Sequence, residues 1–282
     1  KMKKLLILLN YRQKAPFIDY LKKELGTEKV TLGYFSQLSL KMAPGKVAVF
    51  WKDRRLSDFD LIYFRRPGGE FANLTKALAI YCEQEKISYF NRAWAKNLVG
   101  DKISDLVRLT YAGLPVPPSI FCLPENLPAS FVDYPLVAKT TKDHAGYGVK
   151  LLKDKSELAR LPKQMFIFQQ FYPNDGDWRL LVLDGRLAVA EKRIRGKNEF
   201  RNNAHLGGRE VFFKVEEIPE KLKQIATKAA EVLDLQVAGV DVLVDSKTGK
   251  EWLLEVNPKP TFTSDLSVST ELPVMAEFFR KR

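Results

Sequence analysis

Cysteine is nearly absent from this chain: only Cys82 and Cys122 stand among 282 residues. Two thiols make no disulfide framework and no thiol-rich metal site, which fits a reducing compartment. No apolar run approaches the ~20 residues needed to span a bilayer, so no membrane segment is expected. Leu5 to Leu9 is too short for a secretory signal, and Asn10-Tyr11-Arg12 follows where a cleavage site would fall. Lys1 ahead of Met2 reads as an expression remnant. No run reaches five like charges, and there is no helix-turn-helix spacing, zinc-finger spacing or aromatic RNP-type strand, so no specific nucleic-acid partner is expected. Internal repeats and low-complexity segments are also missing. These absences leave a cytoplasmic globular protein.

What is present is an ordinary globular composition, 45% hydrophobic and 28% charged, with 46 Lys and Arg against 34 Asp and Glu. The length suggests roughly two domain-sized units, able to bury about three quarters of the surface that the unfolded chain exposes. The net charge of +12 is compatible with nucleic acid, an anionic membrane surface, or acidic small substrates and peptides. Because the positive residues are spread along the chain, a solvated basic surface explains it equally well.

The first hundred residues alternate between strands and helices. Lys4 to Leu9, Val47 to Trp51, Leu61 to Phe64 and Ile87 to Phe90 read as strands, and Ala15 to Leu25 and Leu74 to Gln84 as helices. That alternation predicts a parallel sheet with helical crossovers. A helix from about Asp101 to Tyr111 then stops at Gly113, with Pro115, Pro117 and Pro118 beyond it, marking a domain border near residue 100. Further on the texture is richer in strands: Leu136 to Thr140, Met165 to Phe171, Trp178 to Leu183, Arg186 to Arg193, Gly239 to Val244 and Glu251 to Val256. Pro219 to Leu233 is the one clear helix among them. Asp184-Gly185 is the dipeptide of a two-residue hairpin turn.

Three stretches carry chemistry. In Gly239-Val-Asp241 and Glu255-Val-Asn257, residues two apart on a strand share a face. A hairpin centred near Thr248 sets Asp241 opposite Glu255. Two carboxylates and an amide oxygen are hard ligands suited to Mg²⁺; the alternative is that they cap strand ends facing solvent. In the second stretch, Lys139 ends an apolar strand, where an ammonium can meet a polyphosphate. The glycine-bearing turn Gly146-Tyr-Gly148 follows, without matching the Walker or Rossmann patterns. The third holds Gln170-Phe171, Asp177-Trp-Arg179, Lys192-Arg193 and Arg201-Asn202-Asn203. Arginines suit the charge of a transferring phosphoryl group, and Asn offers both an oxygen and a donor. A strict Asp184-Gly185 hairpin would put Asp177, Arg179 and Lys192 on one face and Arg193 on the other, so Arg193 joins them only through a bulge or from a place beyond the regular pairing.

In their order and spacing these segments resemble the ATP-grasp superfamily, and within it the RimK-like carboxylate–amine ligases. The residues that carry the resemblance are Asp101-Lys102, Gly113-Leu-Pro-Val-Pro117, Val137-Ala-Lys139, Gly146-Tyr-Gly-Val149, Phe168-Gln-Gln-Phe171 and Asp177-Trp-Arg179, then Phe200-Arg-Asn-Asn203, Gly207-Gly208, Gly239-Val-Asp241 and Glu255-Val-Asn257-Pro. The resemblance covers about Asp101 to Phe262. It implies an α/β fold with α+β character in the second part: a parallel-sheet amino-terminal domain over 1–100, then a two-lobed ATP-grasp module over 101–282 with its metal site at 239–258.

It further implies that Lys102, Lys139 and Gly148 meet the nucleotide, backbone groups of Gln170 and Phe171 meet adenine, and Asp177 lies near the ribose. Asn202 and Asn203 would face the phosphates, with Arg179, Arg193 and Arg201 as catalytic cations. Asp241, Glu255 and Asn257 would bind two Mg²⁺ ions, for which Mn²⁺ can substitute. The implied reaction joins a carboxylate to an amine through an acyl phosphate made with ATP, possible partners being an amino acid and an acidic peptide or small acceptor. A microviridin-type peptide ligase is the competing enzyme reading, to which Tyr63-Phe-Arg-Arg-Pro67 lends weight, and a nucleotide-dependent binder is the non-enzyme one. The sequence departs from the family at Gln170, where a glutamate is usual, and at Pro260-Thr261, where Pro-Gly is common. Arg65 and Arg66, at a strand end, are candidate substrate contacts.

Overall fold

The computed structural model describes residues 4–10, 16–99, 101–141, 148–196, 202, 208–263, 265 and 267–282. Strand β1 (Leu5–Leu9) is apolar throughout and buries all five side chains, as a strand covered on both faces does. Helix α1 (Pro16–Leu25) turns Ile18, Leu21 and Leu25 to the core and ends at Gly26, whose φ of 103° closes it without a Cβ clash. Strand β2 (Val30–Tyr34) follows. A separate antiparallel sheet holds β3 (Leu38–Ala43), β4 (Lys46–Trp51) and β5 (Arg54–Arg55). Then come β6 (Leu61–Arg66), α2 (Ala72–Gln84) and β7 (Ser88–Phe90). The order β2-β1-β6-β7 is parallel throughout, as the alternating pattern predicts.

Helix α3 (Lys102–Tyr111) starts on Asp101, whose carboxylate accepts from the Ile103 amide at 3.0 Å and the Ser104 hydroxyl at 2.7 Å. Strands β8 (Ser119–Cys122), β9 (Leu136–Lys139) and β10 (Val149–Leu152), the short helix α4 (Lys155–Ala159) and strand β11 (Phe166–Gln170) follow, the strands forming an antiparallel sheet of order β10-β9-β11-β8. The last sheet holds β12 (Asp177–Leu183), β13 (Arg186–Ile194), β14 (Arg209–Phe213), β15 (Val237–Val244) and β16 (Glu251–Asn257), in the antiparallel order β14-β13-β12-β15-β16. Helix α5 (Glu220–Val232) covers one face of it, packing on Leu180, Val182, Ala190, Val240 and Leu253. Helix α6 (Glu271–Arg280) and the first sheet cover the other face, where Leu181, Leu183, Val189 and Val237 meet Leu5, Tyr63, Met275 and Phe279. Among the described residues no helix is long and apolar enough to cross a membrane.

Two one-residue irregularities set which side chains reach that second face. Asp184 and Gly185 both have positive φ, 46° and 72°, and make the two-residue turn. A strict ladder from this turn would pair Asp177 with Lys192. Instead Val182 pairs Leu187 while Leu181 pairs Val189, leaving Ala188 extra, and Asp177 stands opposite Arg193. The bulge that Arg193 requires is therefore present. In β16 the pairing passes from Val242–Leu253 to Asp241–Glu255 over Leu254, which brings Glu255 opposite Asp241.

Candidate active site

Directly opposite residues of an antiparallel pair point to the same face, so the register lays out a two-row array of charge. One row runs Glu191, Arg179, Asp241, Glu255 across β13, β12, β15 and β16, and the other runs Glu210, Arg193, Asp177 across β14, β13 and β12. All continue, at the strand ends, the face that is apolar lower down. Arg193 Nε donates to Asp177 Oδ1 at 3.0 Å and its Nη2 to Oδ2 at 2.6 Å. The same Nη2 lies 3.1 Å from Asp241 Oδ2. Arg179 grips Asp241 with two donors, Nε to Oδ1 and Nη2 to Oδ2 at 2.9 Å. Asp177, Asp241 and Arg193 are buried. Burial alone would push the Asp241 carboxyl up, but the Arg179 and Arg193 charges outweigh it and hold the group below its ordinary range.

Glycine is required beneath this lattice. A Cβ on Gly239 would lie 2.8 Å from Cβ of Pro260 and 3.3 Å from Cδ of Arg179, so only glycine lets the arginine lie flat across β15.

Lys139, at the end of β9, comes from the facing sheet. Burial lowers the pKa of its ammonium, and Glu255, Asp241 and Asp177 act against that, placing the lysine in the field of the array. Lys102 reaches the same edge from the first turn of α3, its Nζ 3.9 Å from Glu255 Oε1. The structure thus brings together Lys102, Lys139, Asp177, Arg179, Arg193, Asp241 and Glu255. Asn257 sits opposite Gly239, two residues from Glu255 on the same face. Gly148 lies beside the end of β9, its carbonyl accepting from the Thr140 amide at 2.9 Å. Gln170 and Phe171 end β11, where the Gln170 amide donates to the Phe131 carbonyl at 3.1 Å and the Phe171 N–H to the Pro135 carbonyl at 3.2 Å. Asn202 is buried, donates to Asn174 Oδ1 at 3.0 Å, and leaves its own Oδ1 without a partner. Arg201 and Asn203 lie outside the described residues.

Glu255, 40% exposed at its side chain, and half-buried Asn257 present oxygens that suit a hard divalent cation. Asp241 adds a carboxylate whose oxygens are both held by guanidinium groups. Among the described residues no three His, Cys, Asp or Glu side chains gather closely enough to hold an ion by themselves.

Sequence reasoning missed Glu191, Glu210 and Glu271, which crowd the same face. Glu191 and Glu271 are 4% and 2% exposed. Thr263 ties the other two together, its hydroxyl donating to Glu210 and its N–H to Glu271, each at 2.7 Å. The parity of Glu191 with Arg193 was the available signal, but it becomes readable only with the Ala188 bulge. Arg65 is the unpaired residue between Phe64 and Arg66 at the β1–β6 irregularity. It is buried, its guanidinium stacked 4.4 Å from the Phe262 ring.

A lysine at the end of one antiparallel sheet, in the field of an acid- and amide-edged strand pair on another, is the arrangement of the ATP-grasp class. Residues 124–274 match the model of the RimK-like ATP-grasp domain, and the chain belongs to that family. It is 30% identical over 253 residues to a probable alpha-L-glutamate ligase of Desulfotalea psychrophila, covering 84% of this chain and 52% of that protein. It is also 30% identical over 239 residues to the probable alpha-L-glutamate ligase of Pasteurella multocida, covering 79% and 74%. The chain therefore spans about half the length of the first relative. The fold matches that of the ATP-grasp ligase PsnB, solved with a variant of its minimal precursor, Mg and ADP, at a TM-score of 0.74 and 17% identity, over 99% of this chain and 98% of that one.

Proposed function

We propose that this chain joins a carboxylate to an amine, using ATP to activate the carboxylate as an acyl phosphate. The observation that carries the reading is the pair of arginines, buried Arg193 and half-buried Arg179, fixed by carboxylates on one face and met by Lys139 from the facing sheet. Phosphoryl transfer is mostly a problem of positioning and charge, and cations whose directions are already set by bidentate partners need little reorganisation. Lys139 and Lys102 hold the nucleotide phosphates, Gln170 and Phe171 the adenine edge, and Asn202 a phosphate oxygen or metal. Glu255 and Asn257, with Asp241 behind them, would hold Mg²⁺, which neutralises phosphate charge when bound. No protein nucleophile is needed. Consistently, burial pushes the Cys82 thiol up to about 12.

We read residues 1–100 as the α/β domain that precedes the ATP-grasp module and 101–282 as that module, a reading supported by the parallel β2-β1-β6-β7 sheet lying wholly in the first part. The names of the relatives favour L-glutamate as one substrate; we take it as the amine, with an acidic peptide or small molecule supplying the carboxylate. A ribosomal-peptide ligase is the second reading, favoured by the likeness to PsnB along nearly the whole chain. ADP release across a panel of amino acids, acidic peptides and precursor-type peptides tests both: ADP release that needs L-glutamate with an acceptor supports the first, and release that needs only a precursor peptide supports the second. Nucleotide binding without turnover across the panel would leave a binder.

A further inference from the structure

Six carboxylates (Asp177, Asp241, Glu255, Glu191, Glu210 and Glu271) share this face with three guanidinium groups, those of Arg65, Arg179 and Arg193. Arg193 and Arg179 are committed to Asp177 and Asp241. Thr263 supplies hydrogen bonds to Glu210 and Glu271. Glu191 receives none at Oε1, although that atom is buried. A buried carboxylate oxygen without a donor is expensive to leave so, and here it sits among other acids. What Glu191 Oε1 lacks is an N–H donor, the nearby guanidinium groups being committed to Asp177 and Asp241.

Resting on the ligase reading above, we propose that Glu191 is the base that receives the proton of the attacking amine, with Glu271 holding the same ammonium from the side. The nucleophile is a primary amine that arrives protonated, such as the α-ammonium of an amino acid. The ammonium passes one proton to the Glu191 carboxylate. The nitrogen lone pair then adds to the acyl carbon, a C–N bond forms, and the acyl C–O bond breaks with its electron pair leaving on phosphate. The second proton from nitrogen goes to that phosphate, and Glu191 later returns its own to solvent.

The groups facing Glu191 are Arg179 from β12, Arg193 from its own strand, Glu210 from β14 and Glu271 from α6, with Arg65 of β6 facing Glu271 in turn. Burial first, then Glu271 and Glu210, push Glu191 up to about 8, against the two arginines. A carboxylate held there accepts an amine's proton far more readily than one at its ordinary value. A metal ion is the competing occupant. No acid array of metal-binding geometry occurs among the described residues, whereas an ammonium needs only separate oxygens along its three N–H directions.

The test uses competing nucleophiles on the intact chain, with ATP and a peptide bearing a free C-terminal carboxylate. L-glutamate must lose a proton to react, while hydroxylamine is uncharged at neutral pH and needs no base. Glu191→Gln is expected to lower the ratio of amide to hydroxamate about 100-fold, within the range of general-base effects. Glu191→Asp should recover part of it, and Glu271→Gln should raise the KM for glutamate. In the wild type the ratio should rise with pH as Glu191 ionises, and in Glu191→Gln it should not. Circular dichroism and melting verify that each variant is folded.

An unchanged ratio in folded Glu191→Gln overturns the proposal. Parallel loss of amide and hydroxamate also overturns it, assigning Glu191 to the activation step. So does a loss of Mg²⁺ affinity by titration in Glu191→Gln, which would make the residue a metal ligand. Absence of hydroxamate from the wild type would instead overturn the ligase reading beneath it.

Discussion

Arg193 stands directly opposite Asp177 on the neighbouring strand and donates to both of its carboxylate oxygens, at 3.0 and 2.6 Å. Both side chains are about one-tenth exposed. Removing one partner of such a pair leaves an uncompensated buried charge. Arg193→Met should therefore destabilise the protein by about 3–5 kcal/mol. The double variant Arg193→Met/Asp177→Asn should regain most of that stability without regaining turnover. Urea unfolding with an ADP-release assay checks both halves. A double variant as unstable as the single one would show that the pair is not what Arg193 contributes.

Asp241 and Glu255 face each other across β15 and β16, yet their surroundings differ. Asp241 is locked between two arginines, whereas Glu255 is 40% exposed beside Lys102. Asp241→Asn should lower stability by about 3 kcal/mol or more, because it leaves Arg179 short of charge. Glu255→Gln and Asn257→Ala should melt within about 0.5 kcal/mol of the wild type while losing turnover. Thermal melting ranks the three, and equal destabilisation by all of them would contradict the division of roles.

This contrast shows what the sequence disclosed and what it hid. The opposition of Asp241 and Glu255 followed from the hairpin spacing, although it depends on the extra residue Leu254. Lys139 and Asp177 were legible because each ends or begins a strand beside a turn. The partner of Arg193 was not, because nothing in Leu187-Ala188-Val189 marks which residue the ladder skips. Glu191 and Glu271 escaped notice because their burial is made by packing between elements far apart in the chain. Helix α6 was missed because Pro273 interrupts its pattern, although a proline in the first turn removes only an N–H that has no intrahelical acceptor.

Stability should also depend on pH. Glu191 is pushed up to about 8 by burial and then by Glu271 and Glu210; Glu271 is pushed up to about 7 by burial. In the folded chain these two glutamates thus keep protons that they release in the unfolded chain above the ordinary value of 4.5. Their contribution to stability is fully present below 4.5 and is lost as pH rises through 7 and 8. Without ligands, the melting temperature should fall steadily from about pH 5.5 to pH 9, and the slope should be shallower in Glu191→Gln and Glu271→Gln. A melting temperature that rises over this range would contradict the burial of these acids.

Lys139 tests the nucleotide grip. Lys139→Ala should weaken ATP binding by about 1.5–3 kcal/mol, the loss of one charge-assisted contact. Calorimetry on the folded variant reads it directly, and unchanged affinity would remove Lys139 from the phosphates.

The central claim, that the face carrying Arg179 and Arg193 activates a carboxylate by phosphorylation, is tested most directly by trapping the acyl phosphate with hydroxylamine. Wild-type protein should yield hydroxamate only when both ATP and the carboxylate substrate are present. Metal-stripped protein should yield none and recover on adding Mg²⁺, and Glu255→Gln and Asn257→Ala should fall by orders of magnitude. Full hydroxamate formation by Glu255→Gln, or none from the wild type across a broad panel of carboxylates, would contradict the account.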